Sequence, residues 1–187
     1  MNAFAPTRII PADPRWPVRL SERLSEAAPA QLTGLGNLDL LALPKTALFC
    51  SARCPGHAIL AAYDQAARWR DAGRCVISGF HSPVEQECLR ILLRGTPPLI
   101  VCPARALPTR IPAAWRTPLA EGRLLILSGF TAAAKRVTTE LAARRNTLVA
   151  ALADEVCFAH ITPGGQSERL THRLAAWRVP FSTPAKG

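Results

Sequence analysis

From Thr46 onward the sequence alternates short, near-continuous apolar runs with longer amphipathic stretches, and few architectures accept that pattern. The runs 47–50, 75–78, 99–102, 124–127, 156–161 and 179–183 are four to six residues long and read as strands. The stretches 56–72, 83–94, 132–152 and 166–177 carry apolar residues at helical spacing, and a less regular, proline-bearing segment fills 104–121. Strands apolar on both sides must be covered on both faces, and helical connections return each strand parallel to the last. The pattern therefore predicts an α/β fold: a Rossmann-like, doubly wound, mostly parallel sheet of about six strands with helices on both faces. Residues 1–17 are proline-rich and aperiodic and read as a poorly ordered arm. Residues 18–28 place Val18, Leu20 and Leu24 near helical spacing, and 32–43 form an apolar connector. The expected division is an N-terminal arm with a short helix and connector over 1–45, then one Rossmann-like domain over 46–187.

Nearly half of the 187 residues, 49%, are hydrophobic, enough for a core and too many for a disordered chain. No apolar run approaches the roughly 20 residues that span a bilayer, and the N-terminus lacks the apolar stretch of a secretory signal. The expectation is a soluble, cytoplasmic protein without a membrane partner. Cys75, Cys102 and Cys157 sit within apolar runs, where free cysteine behaves as a small hydrophobe, so a reduced chain is expected. Cys50, Cys54 and His57 are close together but lack a second ligand pair, and no metal is expected. The dinucleotide motif G-x-G-x-x-G, the phosphate loop G-x-x-x-x-G-K-[ST] and the nucleophile elbow G-x-S-x-G are absent. A standard nicotinamide enzyme, a Walker-type ATPase and an elbow-bearing hydrolase are therefore disfavoured, and neither cofactor nor catalytic set is expected.

The charge is more informative. The chain carries +10, and residues 104–148 alone hold eight basic against two acidic side chains. Such concentration suits a polyanion. Open parallel sheets bind ligands beyond the carboxyl ends of their strands. Those ends here are rich in small and hydroxyl residues just ahead of helices: Ser51 and Arg53, Ser78 and Gly79, and Gly164, Gly165 and Ser167. Backbone N–H groups approach a phosphate readily at such turns. Lys135, Arg136, Arg144, Arg145 and the neighbouring Asn146 would extend a basic strip from them. Trp115 and Phe80 are candidates for stacking on bases, whereas Trp69 and Trp177 read as core. His81 beside Glu85 and Glu87 reads as a polar turn rather than an acid–base pair.

The turn at Ser51/Arg53, the Ser78-Gly79 turn, the stretch 144–149 (RRNTLV) and the Gly164-Gly165 turn are spaced as in the DprA/Smf proteins, whose motifs read G-S-R, S-G-x-A-x-G-I-D, R-N-R-x-I and S-G-S-L. The chain resembles that family over roughly 33–184. The resemblance implies a Rossmann-like homodimer that binds single-stranded DNA during natural transformation and hands it to a RecA-type recombinase. It departs from the family in having one residue between Ser51 and Arg53, and Thr147 in place of the second arginine of R-N-R. The chain also resembles the related LOG (lysine decarboxylase-like) phosphoribohydrolases, since Arg145 precedes Asp154 by nine residues and Pro163-Gly164-Gly165 follows. Glu168, however, stands ahead of the carboxylate position of that motif, which speaks against hydrolysis. Two readings stay open: a DNA-binding protein, and a binder or hydrolase of a nucleotide-derived ligand held by the same turns.

Overall fold

The computed structural model describes residues 5–51, 53–131 and 137–184. The six expected strands are present as β3 (Lys45–Phe49), β4 (Cys75–Ser78), β5 (Leu99–Val101), β6 (Leu124–Ser128), β7 (Glu155–Phe158) and β8 (Phe181–Ser182). All six run parallel. The sheet is nevertheless larger than expected. Thr7–Ile9 forms β1 and Leu32–Gly36 forms β2, antiparallel to each other, and β2 also pairs antiparallel with β6. The eight strands lie in the order β1-β2-β6-β5-β4-β3-β7-β8.

The supposed arm and connector are thus part of the sheet, which corrects the expectation for 1–45. Their alternation is too short to announce itself: β1 buries Ile9 while its neighbour Arg8 stays exposed, and β2 is broken by two glycines. Pairing with β6 supplies the hydrogen bonds and the burial that those residues could not specify alone.

The helices are α1 (Val18–Leu24), α2 (Gly56–Asp71), α3 (Pro83–Leu93), α4 (Ala113–Ala120), α5 (Thr139–Leu152) and α6 (Gln166–Ala176). They cover the two faces separately. Ala62 and Ala66 of α2, Cys88 and Leu92 of α3 and Leu119 of α4 pack on one side against Val76, Leu99 and Ile126. Leu20 of α1, Val149 and Leu152 of α5 and Leu174 of α6 pack on the other against Ala47, Ile77 and Ile100. Alternate residues of one strand go to opposite faces, as the near-continuous apolar runs required. The expected helix over 132–152 is described from Thr139, where the Thr138 hydroxyl accepts the Leu141 N–H at 3.2 Å.

From β3 the chain steps outward through β4 and β5 to β6, then returns across the sheet to place β7 on the other side of β3. The connections leaving β3 and β7 therefore diverge, and a crevice opens between them at the carboxyl ends. The amino ends have a different character. There Arg19 pairs with Asp154, Arg74 with Glu155 and Arg123 with Glu121, and the Lys45 N–H donates to Asp154 at 2.8 Å.

Leu20 is fully buried between α1 and the sheet, so Leu20→Ala should remove about 2–5 kcal/mol of stability in urea unfolding, a loss that a dispensable arm would not show. Burial works against ionisation of Asp154, but the hydrogen bonds from Arg19 and the Lys45 N–H outweigh it and hold the carboxyl below its ordinary value. The stabilisation from this anchor is complete above the unfolded value, about pH 4, and is lost as pH falls through the lower folded value. Asp154→Asn should therefore lower the urea midpoint near neutral pH, and the two proteins should converge as the pH falls through the lower folded value.

Candidate functional site

Two turns meet across the crevice. The Ser51 hydroxyl hydrogen-bonds the Ser167 hydroxyl at 3.0 Å and accepts the Thr162 N–H at 3.1 Å, and the Ser51 N–H donates to the His160 carbonyl at 3.2 Å. Ser51 thereby ties the β3 turn to the β7 turn. Gly164 takes φ +74° in the second turn, and its N–H donates to Glu168 at 2.7 Å. That bond occupies the carboxylate of Glu168 in holding the turn.

Glu85, buried on α3, organises the opposite wall. One carboxylate oxygen accepts the Cys50 N–H at 2.9 Å, and the other accepts the N–H groups of His81 at 2.8 Å and Ser82 at 3.1 Å. Ser82 in turn accepts the Glu85 N–H, completing a capping box. Glu85 is thus a structural acceptor joining the β3 and β4 turns, and its oxygens are not disposed for proton transfer with the exposed His81 side chain.

Arg145 enters from α5 on the far side. It is 5% exposed, donating from Nε to Asn146 Oδ1 at 2.7 Å and from Nη1 to the Cys102 carbonyl at 3.3 Å. Burial lowers its pKa, while the charge of Glu85 works the other way. A guanidinium stays protonated through such a shift. Two of its five N–H groups are engaged in these bonds. The group lines the cleft, so the others are left for whatever enters it. The same guanidinium explains Gly79, where an added Cβ would stand 1.5 Å from Arg145 Nη1. Glycine is needed there to admit the arginine.

These groups enclose a cleft of about 490 Å³. It brings together Ser51, Arg53, Arg145, Asn146, Gly165 and Ser167, which the sequence had placed on separate loops. Gly164 supports it from the adjacent turn. Ser78 does not enter: it is fully buried, donating to the Leu48 carbonyl at 2.7 Å and accepting the Phe80 N–H at 3.1 Å. Arg144, 100° around the helix from Arg145, lies over the Phe130 ring at 5.7 Å from its centroid. Lys135 and Arg136 lie outside the described residues. Phe80 is core, at 6% exposure with φ +45°, and Trp115 is half-buried against the α2–α4 side. Asp154, nine residues after Arg145, sits at the amino edge with Arg19, at the opposite end of the strands from the Arg145 cleft. Thr162, Gln166 and Glu85 line the cleft without having been singled out for it. For Glu85, the Ser82–Glu85 capping spacing was the available signal.

The ion pairs gather at the amino ends, whereas among the described residues no carboxylate pairs with Arg53, Arg105, Arg144, Arg145 or Arg169 at the carboxyl ends. A family model for DNA recombination-mediator protein A matches residues 7–163. The chain belongs to the DNA recombination-mediator protein A family. A search of curated proteins finds no match.

Solved structures carry the same fold. DNA processing protein A (DprA) of Streptococcus pneumoniae is similar at TM-score 0.77 and 20% identity, over 97% of this chain and 63% of that one. The chain thus spans less than two thirds of that protein. DNA processing protein A of Helicobacter pylori, studied for its single-stranded DNA binding mode, is similar at TM-score 0.73 and 19% identity, over 97% and 81%. A molybdenum cofactor binding protein of Rippkaea orientalis is more distant, at TM-score 0.53 and 13% identity over 75% of each chain. Membership from residue 7 agrees with the inclusion of β1 and β2 in the sheet. Among the described residues no helix is long and apolar enough to cross a membrane.

Gly79→Ala forces the Arg145 guanidinium out of its seat and should leave a folded protein with a disordered cleft. Its circular dichroism should match the parent, and crystallography or side-chain NMR should find Arg145 displaced. An unmoved Arg145 would refute the packing argument.

Proposed function

We propose that the chain binds single-stranded DNA as a DprA-type recombination mediator, with the strand's phosphates drawn to the cleft at the carboxyl ends of β3 and β7. The observation that carries this reading is Arg145, a buried cation whose remaining donors face an open cleft and which has no carboxylate bonded to it. Burying a charge is unfavourable unless an opposite charge completes it. A phosphate would complete it bidentately. Arg53 stands exposed at the rim to add a second contact, and the Ser167 hydroxyl, which accepts from Ser51, keeps a donor of short reach. Membership in a recombination-mediator family and the single-stranded DNA binding mode of the Helicobacter pylori relative support the same ligand. The reading extends to a homodimer acting in the cytoplasm with a RecA-type recombinase. Ser78 and Gly79 then act beneath the site, by shaping the turn and admitting Arg145.

The cleft volume favours a second reading. About 490 Å³ lies within the range of pockets that hold a small molecule, so a single nucleotide would also fit there. The unpaired arginines beyond the cleft favour a strand, because one nucleotide needs few cations.

Titration of the protein into fluorescent single-stranded oligonucleotide at several salt concentrations, with duplex of equal length alongside, tests the proposal. Binding should prefer the single strand and weaken steeply with salt. Arg145→Met should reduce it on the order of tenfold while leaving the melting temperature equal or higher, because a buried charge is exchanged for an apolar chain of similar length. Absence of binding at low salt, with a mononucleotide raising the melting temperature, would replace the strand by the nucleotide.

A further inference from the structure

Three hollows lie side by side around the exposed side of α5, each sharing wall residues with the next. The cleft shares Asn146 and Gln166 with a smaller hollow of about 220 Å³ between α5 and α6. That hollow shares Ala143, Thr147 and Arg173 with a third, of about 440 Å³, between α5 and the segment 24–29. A pocket for one nucleotide needs only the first of them.

The middle hollow is cationic. Arg169 and Arg173 line it from α6, both exposed, while Leu170 and Leu174 of the same helix fill the core. The two arginines are one turn apart, about 6 Å along the axis, comparable to the phosphate step of an unstacked strand. Among the described residues neither pairs with a carboxylate, and neither does Arg144. The third hollow differs. Phe130, half-buried under the Arg144 guanidinium, faces the apolar side chains of Leu24, Pro29 and Leu148, with Glu26 and Glu140 also in the wall. Those carboxylates repel a phosphate but accept from an N–H group on the edge of a base, such as the N3–H of thymine. Ring, guanidinium and apolar walls suit a base.

We propose that a bound strand leaves the cleft between α5 and α6, places successive phosphates on Arg169 and Arg173, and seats a base against Phe130 and Arg144. This path rests on the single-stranded DNA reading and adds to it a second subsite and a direction around α5. Ala143 stands at the junction of the second and third hollows, so a carboxylate there would block the path while leaving the cleft untouched.

The test compares oligothymidylates of about three and about twelve nucleotides, one confined to the cleft and one long enough to follow the path. With Arg169→Ala/Arg173→Ala, affinity for the longer oligomer should fall on the order of tenfold. Its log–log salt slope should shrink by about 1.4, at about 0.7 per lost phosphate contact, while the shorter oligomer changes less than about twofold. Ala143→Glu and Phe130→Ala should reproduce this length dependence, and Phe130→Trp should restore binding that Phe130→Ala loses. Melting curves for each variant verify the fold. If wild-type protein binds both oligomers alike, or the variants weaken both equally or neither, the path is wrong while the cleft reading stands. If the wild type binds neither, the single-stranded DNA reading itself fails and the path with it.

Discussion

Two opposite charges buried beneath the strand ends hold the site together. Glu85 accepts three backbone N–H groups from two turns, and Arg145 lies close enough to feel its field while bonding elsewhere. A carboxylate buried with three charge-assisted hydrogen bonds is well satisfied. The guanidinium is less so, holding one side-chain amide and one carbonyl. That imbalance gives the site its electrostatic character: the anion is complete within the fold and the cation is not. The remaining geometry follows from keeping this pair in place. Ser82 caps α3 so that Glu85 points inward, Gly79 clears room for the arginine, and Ser51 ties the β7 turn across the gap.

The sheet separates structural charge from available charge. At its amino edge arginines and carboxylates neutralise one another and anchor α1 and the strand starts. At its carboxyl edge the arginines stand without such partners. Of a net charge of +10, the unpaired arginines at the carboxyl edge place positive potential where the turns meet. The same tripeptide, Ser-Gly-Phe, closes both β4 and β6, and in each the serine hydroxyl donates to a neighbouring backbone carbonyl, Leu48 in β3 or Arg105 in the loop after β5, and accepts the phenylalanine N–H. The two phenylalanines then diverge, because Phe80 turns into the α2–α3 core while Phe130 meets Arg144 at the surface. Local motif and local bonding are alike, and the neighbouring helix decides the use.

The sequence by itself determined the parallel α/β core, since apolar runs of four to six residues between amphipathic stretches accept little else. It also pointed to the carboxyl-end turns that the fold brings together around a cleft, because small and hydroxyl residues cluster at the strand ends. It could not reveal β1 and β2, whose residues acquire their pattern only by pairing with β6. Nor could it rank the candidates within the turns. Ser78 and Ser51 look alike in sequence, yet one is enclosed by the Leu48 carbonyl and the other stands at the cleft. Arg144 and Arg145 are adjacent, yet a 100° helical step sends one over Phe130 and the other into the core. Only the tertiary structure decides such matters, because burial and hydrogen-bond partners are set by residues tens of positions away, and these determine which polar groups remain for a ligand.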